Sequence, residues 1–310
     1  MTIPERFPKR TPHILTGLSL LIVVLALVAA SIGLFWQDGG ETFTFTTLQG
    51  QTVEIYGRGL YHFDTLFAGA ASRGTDAVTV FLGIPLLLFC GLWHRQGSLR
   101  GTLLLLGTLA YFLYVYASYA LGTVVYNRLF LVYIALFWTS LYGFVLTFRM
   151  IEPQQLAAVF SPRIPRLGPA IFMVASGLVT SLIWLSPLIL ALIQDQPPAT
   201  LGSYYTGRVT DALDLGIITP TTFLAGKLIL GRSPLGYLIA LPLLVLEMML
   251  LPMIAAQTVS QLMAGVSFSP GEIIGPIAGF CTLGLLAFWV MVSILKNISE
   301  PADSSKEQSS

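Results

Sequence analysis

Eight long apolar stretches, almost free of charged side chains, follow one another through this 310-residue sequence. An apolar run of about 18 or more residues is long enough to cross the hydrocarbon core of a bilayer as a helix. We therefore expect an all-α, polytopic membrane protein with about eight transmembrane helices. The expected spans are residues 14–36, 76–93, 102–121, 129–148, 169–193, 211–230, 235–263 and 270–298.

The composition indicates that lipid is the main solvent of this chain. Hydrophobic residues make up 55% of it and charged residues 10%, whereas a soluble domain carries about 25% charged residues. The formal net charge of +1 argues against a nucleic-acid partner, so membrane lipids are the expected surroundings. The sequence has no motif for ATP or metal binding, and we expect neither a cofactor nor a metal.

The basic residues predict the orientation in the membrane. Cytoplasmic loops of membrane proteins carry an excess of Lys and Arg. If the N-terminus is cytoplasmic, most of the 16 basic residues lie inside. We therefore expect a plasma-membrane protein with both termini in the cytoplasm: a tail over 1–13, one transmembrane domain over 14–298 and a disordered tail over 299–310. The basic residues left outside are Arg58, Arg73, Arg128 and Arg208.

The segment 37–75 is the longest polar interval and is predicted to be extracytoplasmic. Polar and apolar residues alternate over 42–46 and again over 52–56, with a glycine-containing turn between them. Such alternation is typical of a small β-hairpin. Residues 61–71 are apolar but too short to cross a bilayer, so a short interfacial helix is expected there.

A five-residue pattern occurs twice, at the expected starts of the second and sixth spans. Residues 73–77 read Arg-Gly-Thr-Asp-Ala and residues 208–212 read Arg-Val-Thr-Asp-Ala. Arg208 follows Arg73 by 135 residues (208 − 73 = 135), and we call this spacing the repeat offset. One explanation is a 4+4 parallel repeat, which preserves the orientation of each span. The other is convergence, because a threonine cap followed by an aspartate suits the start of any helix.

Glu247 is the candidate site residue with the clearest signal. It lies near the middle of the seventh span, between Pro242 and Pro252. A carboxylate at that depth is costly if ionised, and intramembrane acids commonly serve in ion or proton pathways. A protonated glutamic acid that only links neighbouring helices is the alternative.

Further acidic and basic candidates lie at the two repeated starts. Arg208, Asp211 and Asp214 are spaced to share one helical face. Arg73 and Asp76 occupy the matching start of the second span. We expect Asp214 to need a basic partner if it lies below the headgroups, with Arg73, Arg128 or Arg208 available.

The third span contributes tyrosines, and the loop contributes a second group of candidates. Tyr111 and Tyr114 lie deep enough that their hydroxyls need partners, and Glu247 is one option. Histidine and aspartate can act together in acid–base catalysis. The loop candidates are therefore His62, Asp64 and Arg58.

These residues support three hypotheses. The first is binding or transport of a small polar solute or ion in one outward-facing cavity between the second, third, sixth and seventh spans. The second is a membrane enzyme that acts on a lipid-linked or headgroup substrate at the outer leaflet. The third is a scaffold, sensor or assembly subunit that binds a protein partner through the extracytoplasmic loop. Under the first hypothesis the cavity is lined by Arg73, Asp76, Tyr111, Tyr114, Arg208, Asp211, Asp214 and Glu247.

Overall fold

A computed structural model of the chain describes residues 13–47, 50–124, 126–196 and 208–299. Within these ranges, eight helices are long and apolar enough to cross a membrane, which confirms the expected number. The predicted terminal tails fall almost entirely outside them. The spans, numbered in chain order, are His13–Phe35, Leu66–Arg95, Leu99–Gly122, Phe130–Arg149, Leu167–Gln194, Val209–Leu230, Pro234–Ala264 and the helix Pro270–Lys296.

The predicted hairpin is present between the first and second spans. Strands β1 (Phe43–Thr46) and β2 (Thr52–Ile55) pair in antiparallel register, with Phe43 opposite Ile55. Val53 and Ile55 are buried, whereas the alternate residues of β2 face solvent. We call the end of the helix bundle that carries this hairpin the hairpin end.

The second span begins well before the expected start, at Leu66 rather than at Asp76. The Thr65 hydroxyl accepts a hydrogen bond from the backbone N–H of Ala68 and so caps the helix start. The apolar residues from Leu66 onward therefore belong to the span, and they do not form a separate interfacial helix. Only a single 3₁₀ turn, Gly59–Tyr61, precedes it.

The third and seventh spans form the centre of the bundle and pack against each other. Gly107 permits this contact, because a Cβ added there would lie 2.5 Å from a Val245 methyl carbon. The third span also packs against the second and fourth, and the seventh against the second, sixth and eighth. A short helix, Pro153–Val159, connects the fourth span to the fifth.

The second and sixth spans are interrupted in the same way. Each contains one π-helical segment, Thr79–Gly83 in the second and Asp214–Ile218 in the sixth. These segments are separated by the repeat offset, since 214 − 79 equals 208 − 73. The α-helices that follow, Ile84–Arg95 and Thr219–Leu230, keep that offset at both ends.

The turns that follow these spans are also alike. Gly97 and Arg232, again separated by the repeat offset, both have positive φ, of 81° and 59°. Gly101 and Gly236 then pack closely against the preceding span: an added Cβ would lie 2.8 Å from the backbone N of His94 in one case and 2.6 Å from that of Ile229 in the other. Bulky residues are excluded at both positions for the same reason.

Two contacts between spans correspond to each other under the repeat offset: one joins spans two and seven, and the other joins spans three and six. Gly74 of the second span lies directly against the backbone of Gln257 in the seventh span. Gly122 of the third span lies against Val209 of the sixth, where an added Cβ would be 3.1 Å from a methyl carbon. A shift by the repeat offset converts position 74 into 209 and position 122 into 257. The contact between spans two and seven thus corresponds to that between spans six and three.

Candidate functional site

Hydrogen bonds between described residues divide the intramembrane candidates into three clusters. We expected these candidates to line one outward-facing cavity between spans two, three, six and seven; their hydrogen bonds do not join them into one network. The clusters are centred on Glu247, on Asp76 and on Asp214, and a separate cavity lies at the hairpin end.

Glu247 lies inside the continuous seventh helix, which includes both Pro242 and Pro252. Its side chain is only 7% exposed. The Ser176 hydroxyl, from the fifth span, donates a short hydrogen bond to Glu247 Oε1. Oε2 is buried and has no hydrogen-bond partner among the described residues. The expected partner Tyr111 bonds elsewhere.

This arrangement gives the Glu247 carboxyl one fixed oxygen and one uncommitted oxygen. A buried polar atom without a partner costs roughly 1–3 kcal/mol. A proton on the carboxyl, or a cation beside it, would reduce that cost, since an isolated carboxylate in an apolar interior is far more costly. The site is therefore chemically suited to take up and release a positive charge.

Asp76 is the centre of the second cluster and is 2% exposed. The Tyr61 hydroxyl, from the 3₁₀ turn, donates to Asp76 Oδ2 over 2.5 Å. The Tyr119 hydroxyl, from the third span, lies 3.3 Å from Asp76 Oδ1 and 2.9 Å from the carbonyl oxygen of Ser72. Gly33 of the first span covers the carboxylate, because an added Cβ would overlap Oδ2.

More tyrosines surround this aspartate. Tyr119 contacts the ring of Tyr133 edge to face at 5.0 Å between centroids, and Tyr116 stacks on Tyr133 at 6.4 Å. The hydroxyl of Tyr116 is buried and has no hydrogen-bond partner in the part of the chain described. Tyr111 pairs with Thr79 at 3.0 Å between hydroxyl oxygens. Span one, the loop and spans two to four thus enclose Asp76 in a mostly phenolic pocket.

Arg73 lies one turn before Asp76 but does not form an ion pair with it. One terminal nitrogen of the guanidinium donates to the backbone carbonyl oxygen of Leu34 at 3.2 Å, and the other donates to the Tyr56 hydroxyl at 3.4 Å. The Tyr56 hydroxyl in turn donates to Gln37 Oε1 at 2.8 Å. Arg73 therefore holds the end of the first span to the hairpin, while its charge acts on Asp76 from a distance.

Asp214 forms the third cluster with residues of three spans. It accepts hydrogen bonds from the Tyr114 hydroxyl at 3.0 Å and from the Trp184 indole N–H at 2.8 Å. Arg208 forms a 3.2 Å salt bridge with Asp211, and its guanidinium lies 4.6 Å above the Trp184 ring. Asp214 is therefore held by two neutral donors, whereas an arginine was expected in that role.

The sequence did not identify these neutral donors as site residues. Each of them hydrogen-bonds to an acid that the sequence had singled out: Tyr61 and Tyr119 to the buried Asp76, Ser176 to the buried Glu247, and Trp184 to the half-buried Asp214. Each comes from a segment remote from its acid along the chain. Serine and aromatic residues are common in membrane helices, so their presence alone carries no signal of this pairing.

The hairpin-end cavity has a volume of about 510 Å³. It opens between the loop before the second span and the connection from the third to the fourth span. Arg128 covers one wall, with its guanidinium 4.8 Å from the Trp36 ring centroid. The side chains relevant here are those of Trp36, Asp38, His62, Phe63, Tyr126 and Arg128.

The proposed catalytic pair of the loop is not assembled. His62 lines the cavity and contacts the rings of Phe43 and Phe63, at 5.8 and 4.6 Å between centroids. Asp64 points inward, where burial raises its pKa to about 7 against the opposing effect of a hydrogen bond from the Val124 backbone. Arg58 is exposed. Asp64 is thus a buried structural acid, and it does not orient His62.

Comparisons with protein-family models, with curated proteins and with solved structures gave no match. The clusters described above are therefore interpreted from their own geometry. Among the described residues, no group of three or more His, Cys, Asp and Glu side chains could hold a metal ion.

Proposed function

We propose that the chain consists of two copies of a four-span unit, related by a pseudo-two-fold axis along the membrane normal. The support is the repeat offset, shared by the Arg-x-Thr-Asp patterns, the π-helical segments and the positive-φ residues. The exchanged contacts, Gly74 with Gln257 and Gly122 with Val209, are what a two-fold arrangement predicts. Convergence of helix starts does not account for the first copy of the pattern, because residues 73–77 lie inside the helix that begins at Leu66.

We also propose the orientation that the basic residues favour. The hairpin end would face the outside of the plasma membrane, with both termini in the cytoplasm. In this orientation Arg73, which contacts Tyr56 beside the hairpin, and Arg208, at the start of the sixth span, both lie toward the outside. Parallel repeats of this kind occur in transporters, where a site between the repeats is exposed alternately to the two sides.

The function best supported by the geometry is binding and transport of a small polar solute or ion, with Glu247 as the proton or cation site. The observation that carries this proposal is the buried Oε2 of Glu247, which has no partner among the described residues, beside an Oε1 fixed by Ser176. The separate Asp76 and Asp214 clusters change the first hypothesis. They act as fixed acids of the scaffold, and Glu247 is the exchangeable one.

Infrared difference spectroscopy on the reconstituted protein tests the site without knowledge of the solute. The sample is taken from low to high pH, and separately from choline chloride to sodium chloride, while the carboxylic C=O band is recorded. A band that responds in the wild type and is lost in Glu247→Gln supports the assignment. Glu54→Gln is the matched control, because Glu54 is exposed on β2. An identical band in Glu247→Gln would exclude Glu247 as the responding group.

Movement is tested with proteoliposomes that contain a pH-sensitive dye. A potassium diffusion potential set by valinomycin drives protons inward, and radioactive sodium uptake is measured in parallel. We expect a flux of protons or sodium above that of empty liposomes. It should fall at least about tenfold in Glu247→Gln, because the replaced group binds the ion directly. Glu54→Gln should retain the flux, and equal flux in all three proteins would contradict the proposal.

A further inference from the structure

The hairpin-end cavity has features of a ligand site that is independent of Glu247. Its volume of about 510 Å³ lies within the range of about 300–1,000 Å³ that is usual for small-molecule pockets. It is bounded by the connection after the first span, the loop before the second span and the connection from the third to the fourth. It thus lies at one end of the helix bundle, which we expect to meet the polar region of the bilayer.

The cavity offers a cation whose hydrogen-bond donors are available. Arg128 lies over Trp36 and makes no hydrogen bond or ion pair within the described ranges. A guanidinium binds phosphate well, because its planar set of N–H groups matches two phosphate oxygens. Its position over an indole ring holds the group in place and leaves its edge donors accessible.

The cavity also offers an acid together with aromatic rings. Asp38 lines it and is exposed, and its backbone carbonyl is fixed by a 2.9 Å hydrogen bond from Gly59. Phe63 and Tyr126 lie against each other with ring centroids 5.4 Å apart, and both are exposed. A carboxylate and aromatic faces that line the same cavity both favour an ammonium group. The same carboxylate would disfavour a ligand that carries only negative charge.

A zwitterionic headgroup would pair with both charged side chains of the cavity, Arg128 and Asp38. We propose that the hairpin-end cavity binds a membrane lipid whose headgroup carries a phosphate and an ammonium group. The phosphate would contact Arg128, and the ammonium would lie near Asp38 and the exposed rings. The acyl chains would pass to the lipid-facing side, as expected for a cavity at the membrane boundary. This proposal stands whether or not Glu247 binds an ion.

Native mass spectrometry of the detergent-purified protein measures this binding directly. Short-chain phosphatidylethanolamine supplies both groups, and short-chain phosphatidylglycerol supplies the phosphate without the ammonium. Water-soluble phosphoethanolamine supplies the headgroup without chains. The variants are Arg128→Gln and Asp38→Asn. Arg58→Gln and Glu54→Gln are matched controls, because both residues are exposed and neither lines the cavity.

We expect the wild type to bind phosphatidylethanolamine about tenfold more tightly than phosphatidylglycerol. Arg128→Gln should weaken both lipids by a similar factor. Asp38→Asn should weaken phosphatidylethanolamine alone and bring the ratio of the two affinities close to one. The two controls should match the wild type, and all variants should keep its thermal stability.

Three results would overturn the proposal. One is equal binding of the two lipids by the wild type, and another is an unchanged ratio in Asp38→Asn. The third is binding of phosphoethanolamine as tightly as the lipid, which would identify a soluble zwitterion as the ligand.

Discussion

The hydroxyl of Ser176 donates a hydrogen bond to Oε1 of Glu247, which links the fifth span to the central seventh span inside the bundle. The fifth span is otherwise largely exposed on the surface that we expect to face lipid. In the proposed two-fold arrangement, this bond connects a peripheral helix of the second unit to the central pair. The bond fixes Oε1 of the carboxyl, while Oε2 has no partner among the described residues.

Replacement of Ser176 by alanine should destabilise the protein by about 1–3 kcal/mol, because Glu247 then loses its buried donor. Unfolding in mixed detergent micelles measures the change. The double variant Ser176→Ala with Glu247→Leu should recover part of the loss, since both polar partners are then absent. Ser186→Ala is the control, because Ser186 is exposed and bonds only to Leu182 of its own helix. Equal losses in the two serine variants would refute the importance of the Glu247 contact.

Replacement of Gly74 by alanine should cost about 1–3 kcal/mol, as expected for a side chain forced into a packed interface. The added Cβ would overlap the backbone of Gln257, which cannot rotate away as a side chain could. Gly91→Ala is the matched control: no atom lies within 4 Å of an added Cβ, so stability should be unchanged or slightly higher. Thermal unfolding of both variants measures the difference in stability between them. A tolerated alanine at position 74 would mean that spans two and seven are further apart.

Replacement of Tyr61 by phenylalanine removes the 2.5 Å hydrogen bond to Asp76 and leaves the ring in place. We expect a loss of about 1–3 kcal/mol, because a buried carboxyl then lacks its nearest donor. Tyr126→Phe should have no effect, since Tyr126 is 81% exposed. Hydrogen exchange in the second span provides a local measure. Faster exchange around Asp76 is expected in the first variant and not in the second.

Asp64 should make the stability of the loop depend on pH. Its pKa is raised to about 7 from an ordinary value of 3.8, so folding takes up a proton between these values. Stability should therefore fall as pH rises from about 4 to about 7 and then level off. Asp64→Asn removes this titration. The variant should gain on the order of 2 kcal/mol relative to the wild type between pH 5 and pH 8.

Thermal unfolding of both proteins at the two pH values measures that difference. Because all other titrating groups are shared, their effects cancel in the comparison. A constant difference between wild type and Asp64→Asn across this range would show that Asp64 is hydrated and titrates normally.

The spans and the hairpin were predictable because they depend on local patterns. Hydropathy places a helix in lipid whatever its neighbours are, and the alternation over 52–56 places Val53 and Ile55 on one face. The start of the second span was missed because residues 61–71 were considered without the span that follows. Thr65 caps the helix at residue 66, so the apolar residues from Leu66 to Ala71 and the expected span from Asp76 form one helix.

The acids were predictable and their partners were not. A charge such as Glu247 or Asp214 stands out in an apolar stretch; an arginine was the expected partner of Asp214, and a tyrosine hydroxyl was the expected partner of Glu247. The structure uses Ser176 and Trp184 instead, because neutral donors can satisfy an acid without burying a second charge. Which helices approach each other depends on long-range packing, and local composition does not encode it.

Gly33 lies directly on the Asp76 carboxylate, so the first helix does more than attach the chain to the membrane. Only a residue without a side chain allows the two to approach so closely. A larger residue at this position would have to push the first helix away from the second and would open the acid to water. The first helix therefore acts as a lid over the acid, and its seal depends on the hydrogen side chain of one glycine.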